Sequence, residues 1–287
     1  MNVLSLFDGM STLQLAFKNV GIPVEKYYSS EVKKSGIEIT KKYFPKTIFL
    51  GDIRDWRNWD IEWEKIDFIG SGSPCQDLSI AGKRAGIHGK RSNLFFVFVD
   101  ILNHVKKVNS KVLFLQENVA SSSKEDVWKI SEALEILPVK IDSRLVTAQM
   151  RKRYYWTNIK TKKIGFFGED ITDIPQPEDR KIQFQDIIEH GYVEKRKAYA
   201  VLEKSVKSRG TISVEYKRYR ETRMRNLVFK NKKFLKKEAR FLTRTELERL
   251  QGFPDGYTSC LSLKEAGSVL GDGWTLPVIE HILSFIK

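Results

Sequence analysis

Short β-rich runs alternate with helical stretches through the first 160 residues, and this alternation constrains the fold of the 287-residue chain more than any other feature. Val3 to Phe7, Val24 to Ser29, Thr47 to Leu50, Ile66 to Ile69, Val112 to Leu115 and Val139 to Val146 read as strands. Residues 11–20, 32–43, 92–107 and 124–137 read as the helices between them. The pattern is the signature of an α/β fold with a doubly wound, mostly parallel sheet. In such sheets ligands bind outside the carboxyl ends of the strands. The loops that leave the strands are therefore where chemistry is expected.

Ser73-Pro74-Cys75-Gln76 comes after the fourth run and holds one of only two cysteines in the chain. A cysteine fixed by a proline at the carboxyl end of a strand is where an α/β enzyme would carry a thiolate nucleophile. Free cysteine is also among the most buried residue types, so a structural role fits this feature, taken alone, equally well. Glu117-Asn118-Val119 comes after the fifth run, and Gln149-Met150-Arg151-Lys152-Arg153 after the sixth. Singly, these read as a helix cap and as surface strand residues; with Cys75 they form an ordered set.

Phe7-Asp8-Gly9-Met10-Ser11-Thr12 leaves the first strand and opens directly into a helix, with Gly9 allowing the sharp turn. Glu31 ends the second run, where an acid can accept hydrogen bonds from ribose hydroxyls. Asp52 comes after the third run and is placed to meet an adenine amino group, with Ile53 packed on the ring. The full Gly-x-Gly-x-x-Gly set expected around a pyrophosphate is missing. An adenosyl ligand without phosphates fits better than a dinucleotide.

Residues 161–240 break the rhythm. Gly165, Gly168, Pro175 and Pro177 mark a boundary, and the stretch beyond them has no clean period, so a small, loop-rich lobe is expected there. The net charge of +14 is concentrated in it: residues 195–240 hold 17 lysines and arginines against four acids. Tyr216, Tyr219, Phe229 and Phe234 interleave with these charges, a composition suited to phosphate contacts and base stacking. A solvated basic face is the plainer alternative. Thr243 and Glu246 then form a capping box that opens a helix ended by Gly252 and Pro254, and Leu270 to Val278 leads into a terminal helix. The expected division is 1–160, 161–240 and 241–287, the last segment returning to the first domain.

Two cysteines far apart, and His88, His104, His190 and His281 without ligand spacing, offer neither a disulfide framework nor a metal site. Met1 to Asp8 shows no charged leader, and the longest apolar stretch, Leu94 to Val99, is too short to span a bilayer. A cytoplasmic location, or a nuclear one in a eukaryote, is expected, with no membrane partner.

Phe7-Asp8-Gly9, Glu31, Gly51-Asp52-Ile53, Ser73-Pro74-Cys75-Gln76, Glu117-Asn118-Val119, Gln149-x-Arg151-x-Arg153, Arg249 to Pro254 and Gly271 to Pro277 occur in the order of the blocks of the cytosine-5 DNA methyltransferases. The chain resembles that family over residues 1–160 and 240–287. Its wording, Gly-Ser-Pro-Cys-x-Asp-Leu-Ser, is most similar to the animal de novo branch and its prokaryotic and viral relatives. Two positions depart from the pattern. Ser11 stands at the second glycine of the Phe-x-Gly-x-Gly block, and Asp272 where the animal branch has a basic residue.

The resemblance implies a Rossmann-like catalytic domain, S-adenosyl-L-methionine as cofactor, and a basic target-recognition lobe. It implies Cys75 as the nucleophile that adds to C6 of cytosine, and Glu117 as the group that holds N3 and the exocyclic amine. Arg151 and Arg153 supply positive charge that favours the thiolate. Phe7, Asp8, Gly9, Ser11, Thr12, Glu31, Val32, Asp52, Ile53, Ser71, Pro74, Asp272 and Trp274 are the expected cofactor contacts. Gln76, Gln149, Arg209, Arg218, Arg220, Arg223 and Arg225 are those expected for nucleic acid. Double-stranded DNA is the implied partner, with a cognate restriction endonuclease a further one and a monomer or dimer the assembly. A tRNA cytosine-5 methyltransferase of the same fold and a catalytically silent DNA-binding regulator are the competing readings.

Overall fold

In the computed structural model, which describes residues 1–74, 93–120, 122–165, 168–201 and 210–286, the chain forms two compact units. The first comprises Met1–Ile141, Lys152–Gln176 and Ile279–Lys287, the second Asp142–Arg151 and Pro177–Val278.

The first unit runs β1 (Asn2–Leu6), α1 (Thr12–Asn19), β2 (Lys26–Ser30), α2 (Lys34–Tyr43), β3 (Ile48–Phe49), β4 (Phe68–Ser71), α3 (Asn93–Val108), β5 (Leu113–Val119), α4 (Lys124–Leu134) and β6 (Val139–Asp142). After β7 (Gln149–Met150), which belongs to the second unit, the chain returns as β8 (Lys152–Thr157). The hairpin of β9 (Thr161–Ile164) and β10 (Glu169–Thr172) comes next. One seven-stranded sheet results, in the order β3-β2-β1-β4-β5-β8-β6. The five strands from β3 to β5 are mutually parallel, and β8 joins β5 antiparallel. The expected doubly wound α/β fold is the observed one.

Strand order reverses at β1, whose neighbours are β2 on one side and β4 on the other. Crevices at such reversals are where open α/β sheets take their ligands. The loop after β1 and the loop toward Cys75 both leave this point. Leu4, Leu6 and Ile69 of β1 and β4 are buried in one cluster with Phe98, Ile101 and Val105 of α3. Phe17 of α1 meets Phe68 of β4 edge to face at 5.1 Å. Burial on both faces explains why these strands read as continuous apolar runs.

The second unit contains β7 paired in parallel with β11 (Ala198–Tyr199), then α5 (Ile212–Thr222) and the antiparallel pair β12 (Val228–Phe229) and β13 (Ala239–Arg240). Helices α6 (Arg244–Gln251) and α7 (Leu263–Asp272) come after them, and α8 (Leu276–Leu283) runs across the boundary at residue 279. The expected capping box is present: Thr243 Oγ1 accepts from the Glu246 N–H, and Glu246 Oε2 accepts from the Thr243 N–H at 2.9 Å. Gly252 ends α6 at φ 77°, and a Cβ there would lie 2.3 Å from Pro277 Cδ.

Three features differ from expectation. The basic stretch is not loop throughout, because α5 occupies eleven of its residues. Its buried positions are Glu215 and Tyr219, so no apolar stripe betrays it. The last expected strand stops at Asp142, where a 3-10 turn over Ser143–Leu145 begins. Residues 142–151 and 241–278 cluster with the second unit and residues 161–176 with the first, which moves the expected boundaries.

Candidate active site

The loop after β1 is built from left-handed backbone. Phe7, Gly9 and Ser11 have φ of 57°, 60° and 56°. Glycine tolerates this; a serine does so at a cost of about 1–2 kcal/mol. Ser11 is fully buried, and its hydroxyl donates to Asp8 Oδ2 at 2.6 Å and meets Thr40 Oγ1 at 2.8 Å. Asp8 accepts further bonds from Tyr27 OH at 2.7 Å and Ser29 Oγ at 2.9 Å. Three hydroxyls thus hold one buried carboxylate, and the serine that departs from the family block is one of them. Ser11→Ala keeps the unfavourable backbone and removes a charge-assisted hydrogen bond, so the unit is expected to lose about 1.5–3 kcal/mol. A thermal melt in which the variant matches the parent would contradict this role.

Glu31, at the end of β2, ties the first two strand-to-helix loops together. Its Oε2 accepts from the Gly9 N–H at 2.7 Å, while Oε1 accepts from Val32 N–H at 2.8 Å and Lys33 N–H at 2.7 Å. Burial pushes its carboxyl above the ordinary range, and the three N–H groups pull the other way. Oε2, with one protein donor, keeps a lone pair for a ligand hydroxyl. Helix α2 starts close by: a Cβ on Gly36 would fall 2.1 Å from Gly9 O. Val32 is exposed. Asp52 caps the 3-10 turn Ile53–Asn58 by accepting from the Arg54 N–H at 2.9 Å, and the Arg54 guanidinium beside it holds its carboxyl low. Ile53 is buried and Phe7 half-buried, both packed in the cluster around α3.

The neighbouring strands β4 and β5 hold the residues next to the expected reactive set. Ser71 faces Gln116 in register. Gln116, fully buried, donates through Nε2 to Ser73 Oγ at 2.9 Å and to Glu117 O at 2.8 Å. The loop toward Cys75 is thereby fixed by the residue next to Glu117. Across the antiparallel pairing, Arg153 Nε lies 2.8 Å from Glu117 Oε1, both side chains largely shielded. Cys75 and Gln76 lie outside the described residues, as does Arg209. Pro74 is half-buried.

An adenosyl ligand suits this edge of the sheet. Among the described residues, Ser71 Oγ and Asn118 Nδ2 are buried without a hydrogen-bond partner, and both sit at carboxyl ends of strands. Buried polar atoms of this kind call for one. Glu31, Asp52 and the apolar Ile53 complete a lining with acceptors and no cluster of cations, as a phosphate-free nucleoside requires.

In the second unit, Arg151 is buried and holds the turn after α7. Its NH1 donates to Val201 O at 2.9 Å, and its NH2 donates to Gly271 O at 3.0 Å and Gly273 O at 2.9 Å. Asp272, exposed, and Trp274, half-buried, are carried on that turn. Arg151 therefore stands as a tether where a charge facing the thiol was expected. Gln149 is fully buried, its Nε2 donating to Leu250 O and Gln251 Oε1, both at 2.8 Å. It is not presented to a nucleic acid.

The expected DNA arginines are also partly committed. Arg218 donates to Glu215 Oε1 at 2.8 Å and Arg225 Nε lies 2.8 Å from Glu215 Oε2, compensating a carboxylate with little exposure. Arg223 donates to Glu194 Oε2 at 2.7 Å, and Tyr219 OH donates to the same oxygen. Arg220 is exposed on α5. Gln116 and the hydroxyls of Tyr27 and Ser29 on Asp8 escaped the sequence reading; polar residues inside otherwise apolar strands were the available signal.

This is the fold of the Rossmann-like methyltransferases that use S-adenosylmethionine. It is shared with Entamoeba histolytica methyltransferase EhMeth (TM-score 0.67, 14% identity, 100% of this chain and 97% of that one) and with S. pombe Dnmt2 (TM-score 0.64, 16% identity, 100% and 98%). The sequence matches the family described as C-5 cytosine-specific DNA methylase over residues 1–234 and 176–287, and the chain belongs to that family. S-adenosyl-L-methionine is the methyl donor this membership implies. Among curated relatives, Type II methyltransferase M.NgoBV of Neisseria gonorrhoeae is 30% identical over 178 residues, which is 55% of this chain and 41% of that protein. M.NlaX of Neisseria lactamica is 26% identical over 313 residues, covering 99% and 96%. The chain thus spans about two-fifths of the first relative and nearly all of the second. Among the described residues no helix is long and apolar enough to cross a membrane.

Proposed function

We propose that the protein transfers the methyl group of S-adenosyl-L-methionine to C5 of cytosine in duplex DNA, through a transient bond between Cys75 Sγ and C6 of the base. The observation that carries this reading is the Glu117–Arg153 pair at 2.8 Å, one residue from the Gln116 that anchors Ser73. Glu117 lies on β5 and is paired with Arg153, while Ser73, two residues before Cys75 in the sequence, comes after the adjacent β4 and is held by Gln116.

The donor supplies an electrophilic methyl group. C5 of cytosine reacts poorly with it until the ring is activated, and addition of the Cys75 thiolate to C6 does this by making C5 enamine-like. Charge then builds on N3 and O2, and a proton held at N3 by Glu117 stabilises it. Arg153 orients that carboxyl group. Loss of the C5 proton to a base after methylation expels the thiolate. Glu31, Asp52, Ile53, Ser71 and Trp274 are proposed as donor contacts. The target base must leave the stack to reach Cys75, at a cost of a few kcal/mol, and the second unit is proposed to hold the duplex while it does. A cognate restriction endonuclease, blocked by this methylation, belongs to the same proposal.

Incubation with labelled donor and either duplex DNA or tRNA tests the substrate. Label in duplex DNA, located as 5-methylcytosine by bisulfite sequencing, is the expected result. Label confined to tRNA would replace the DNA reading with the RNA one, and label in neither would remove the transferase assignment.

A further inference from the structure

Five arginines of the basic stretch are expected from the sequence to grip DNA, yet Arg218, Arg223 and Arg225 are paired with Glu215 and Glu194. Among the described residues, the densest uncompensated charge lies elsewhere. β12 and β13 are joined by residues 230–238, which hold Lys230, Lys232, Lys233, Lys236 and Lys237 against the single acid Glu238. All five lysines are exposed, and among the described residues none is in an ion pair.

The loop is also held in shape. Lys230 N–H donates to Glu238 O at 3.0 Å across its neck. Phe234, at φ 52°, turns its ring onto Phe229 at 5.3 Å, and its carbonyl accepts from Tyr216 OH at 3.0 Å. Asn231 Oδ1 accepts from the Lys233 N–H at 3.0 Å, and Glu238 N–H donates to Leu235 O at 3.0 Å. Because Phe234 is anchored inward, Leu235 beside it stays exposed between the lysine pairs. Lys232 sits 5.4 Å over the ring of Tyr192, whose backbone exchanges two hydrogen bonds with Phe229. A rigid, positively charged projection loses little freedom on binding a polyanion.

We propose that this lysine loop, Lys230 to Lys237, is the main phosphate-gripping surface of the second unit, its partner being the backbone of duplex DNA. The proposal rests on the DNA reading of the function. The arginines that flank it build the lobe and place the loop. An anionic membrane would be the other polyanion, but Leu235 is the loop's one exposed large apolar side chain, too little apolar surface for a stable membrane anchor.

The test is the salt dependence of duplex binding by the full chain and by K232Q/K233Q/K236Q/K237Q. Every phosphate that the variant no longer neutralises lowers the slope of log affinity against log salt by about 0.9, so a fall of roughly 2–4 is expected. Specific and non-specific duplexes should weaken alike, with the melting midpoint and methyl-donor affinity unchanged. A control that removes four exposed lysines of the first unit, K46Q/K107Q/K111Q/K124Q, should alter the slope much less. If the parent methylates duplex DNA but the loop variant keeps its slope, or the control's slope falls as far, the loop assignment is overturned while the function stands. A parent that labels only tRNA overturns both. Binding of the parent to phosphatidylserine vesicles, abolished in the loop variant, with an unchanged DNA slope would show a membrane-facing loop instead.

Discussion

Cys75→Ala protein is expected to lose methyl transfer by at least about a thousandfold while still binding S-adenosyl-L-methionine. Nucleophile removal is costly because the covalent route divides one difficult step into easier ones. The residues proposed for the donor in the first unit lie at the ends of β2, β3 and β4, so calorimetric titration with the donor should change little. A duplex with 5-fluorocytosine at the target gives a second readout. Thiolate addition and methylation proceed on that base, but fluorine at C5 blocks the final elimination, so the adduct persists and migrates as a protein–DNA band. The parent should form it and the variant should not. Turnover by Cys75→Ala at the parental rate would sink the covalent mechanism.

Glu117→Gln should be the next most damaging change, lowering kcat by about 10²–10⁴-fold. The amide can still bond to cytosine but cannot supply a proton to N3 as charge develops there. It also replaces the anion beside Arg153, whose shielded guanidinium at 2.8 Å then lacks its counter-charge. A lower melting midpoint is expected with the lower rate. Because these two effects have different causes, Arg153→Gln separates them: it should disturb the carboxyl group's position while leaving the acid itself in place, and so cost less in kcat than Glu117→Gln. Equal losses in the two variants would mean that Glu117 acts only through the ion pair. A Glu117→Gln enzyme with unimpaired kcat would remove it from the chemistry altogether.

β1, β4 and the first half of β5 are legible in the sequence because they are buried on both faces and read as apolar runs between turn residues. β8 is less plain. Its sequence opens with Lys152 and Arg153, which read as a surface strand, before the run Tyr154-Tyr155-Trp156, and its antiparallel pairing with β5 is what marks it as part of the sheet. Helix α5 is hidden for a related reason, since its inward face includes Glu215, whose charge is neutralised by arginines three and ten residues on. Side-chain roles are less legible than elements. That Arg151 spends its donors on carbonyls near Gly271 and Val201 depends on contacts 50 and 120 residues away. Gln149 and Gln251 lie 102 residues apart in the chain, so their pairing is equally invisible. Ser11 is the clearest instance in the other direction: its departure from a glycine is visible, and the hydroxyl bonds that make serine tolerable there are not.

The interleaving of the two units also fixes a timetable. During synthesis the seven-stranded sheet has all its strands once Thr157 has emerged, but Ile279, Ile282 and Leu283, which are buried and assigned to the same unit, are still to be made. About 120 residues intervene, which at about 5–20 residues per second is about 6–24 s of translation. Throughout that interval the nascent first unit presents an unfilled apolar seat. Helix α8 therefore acts as a late stopper, fitted well after the strands of the unit it joins have been made.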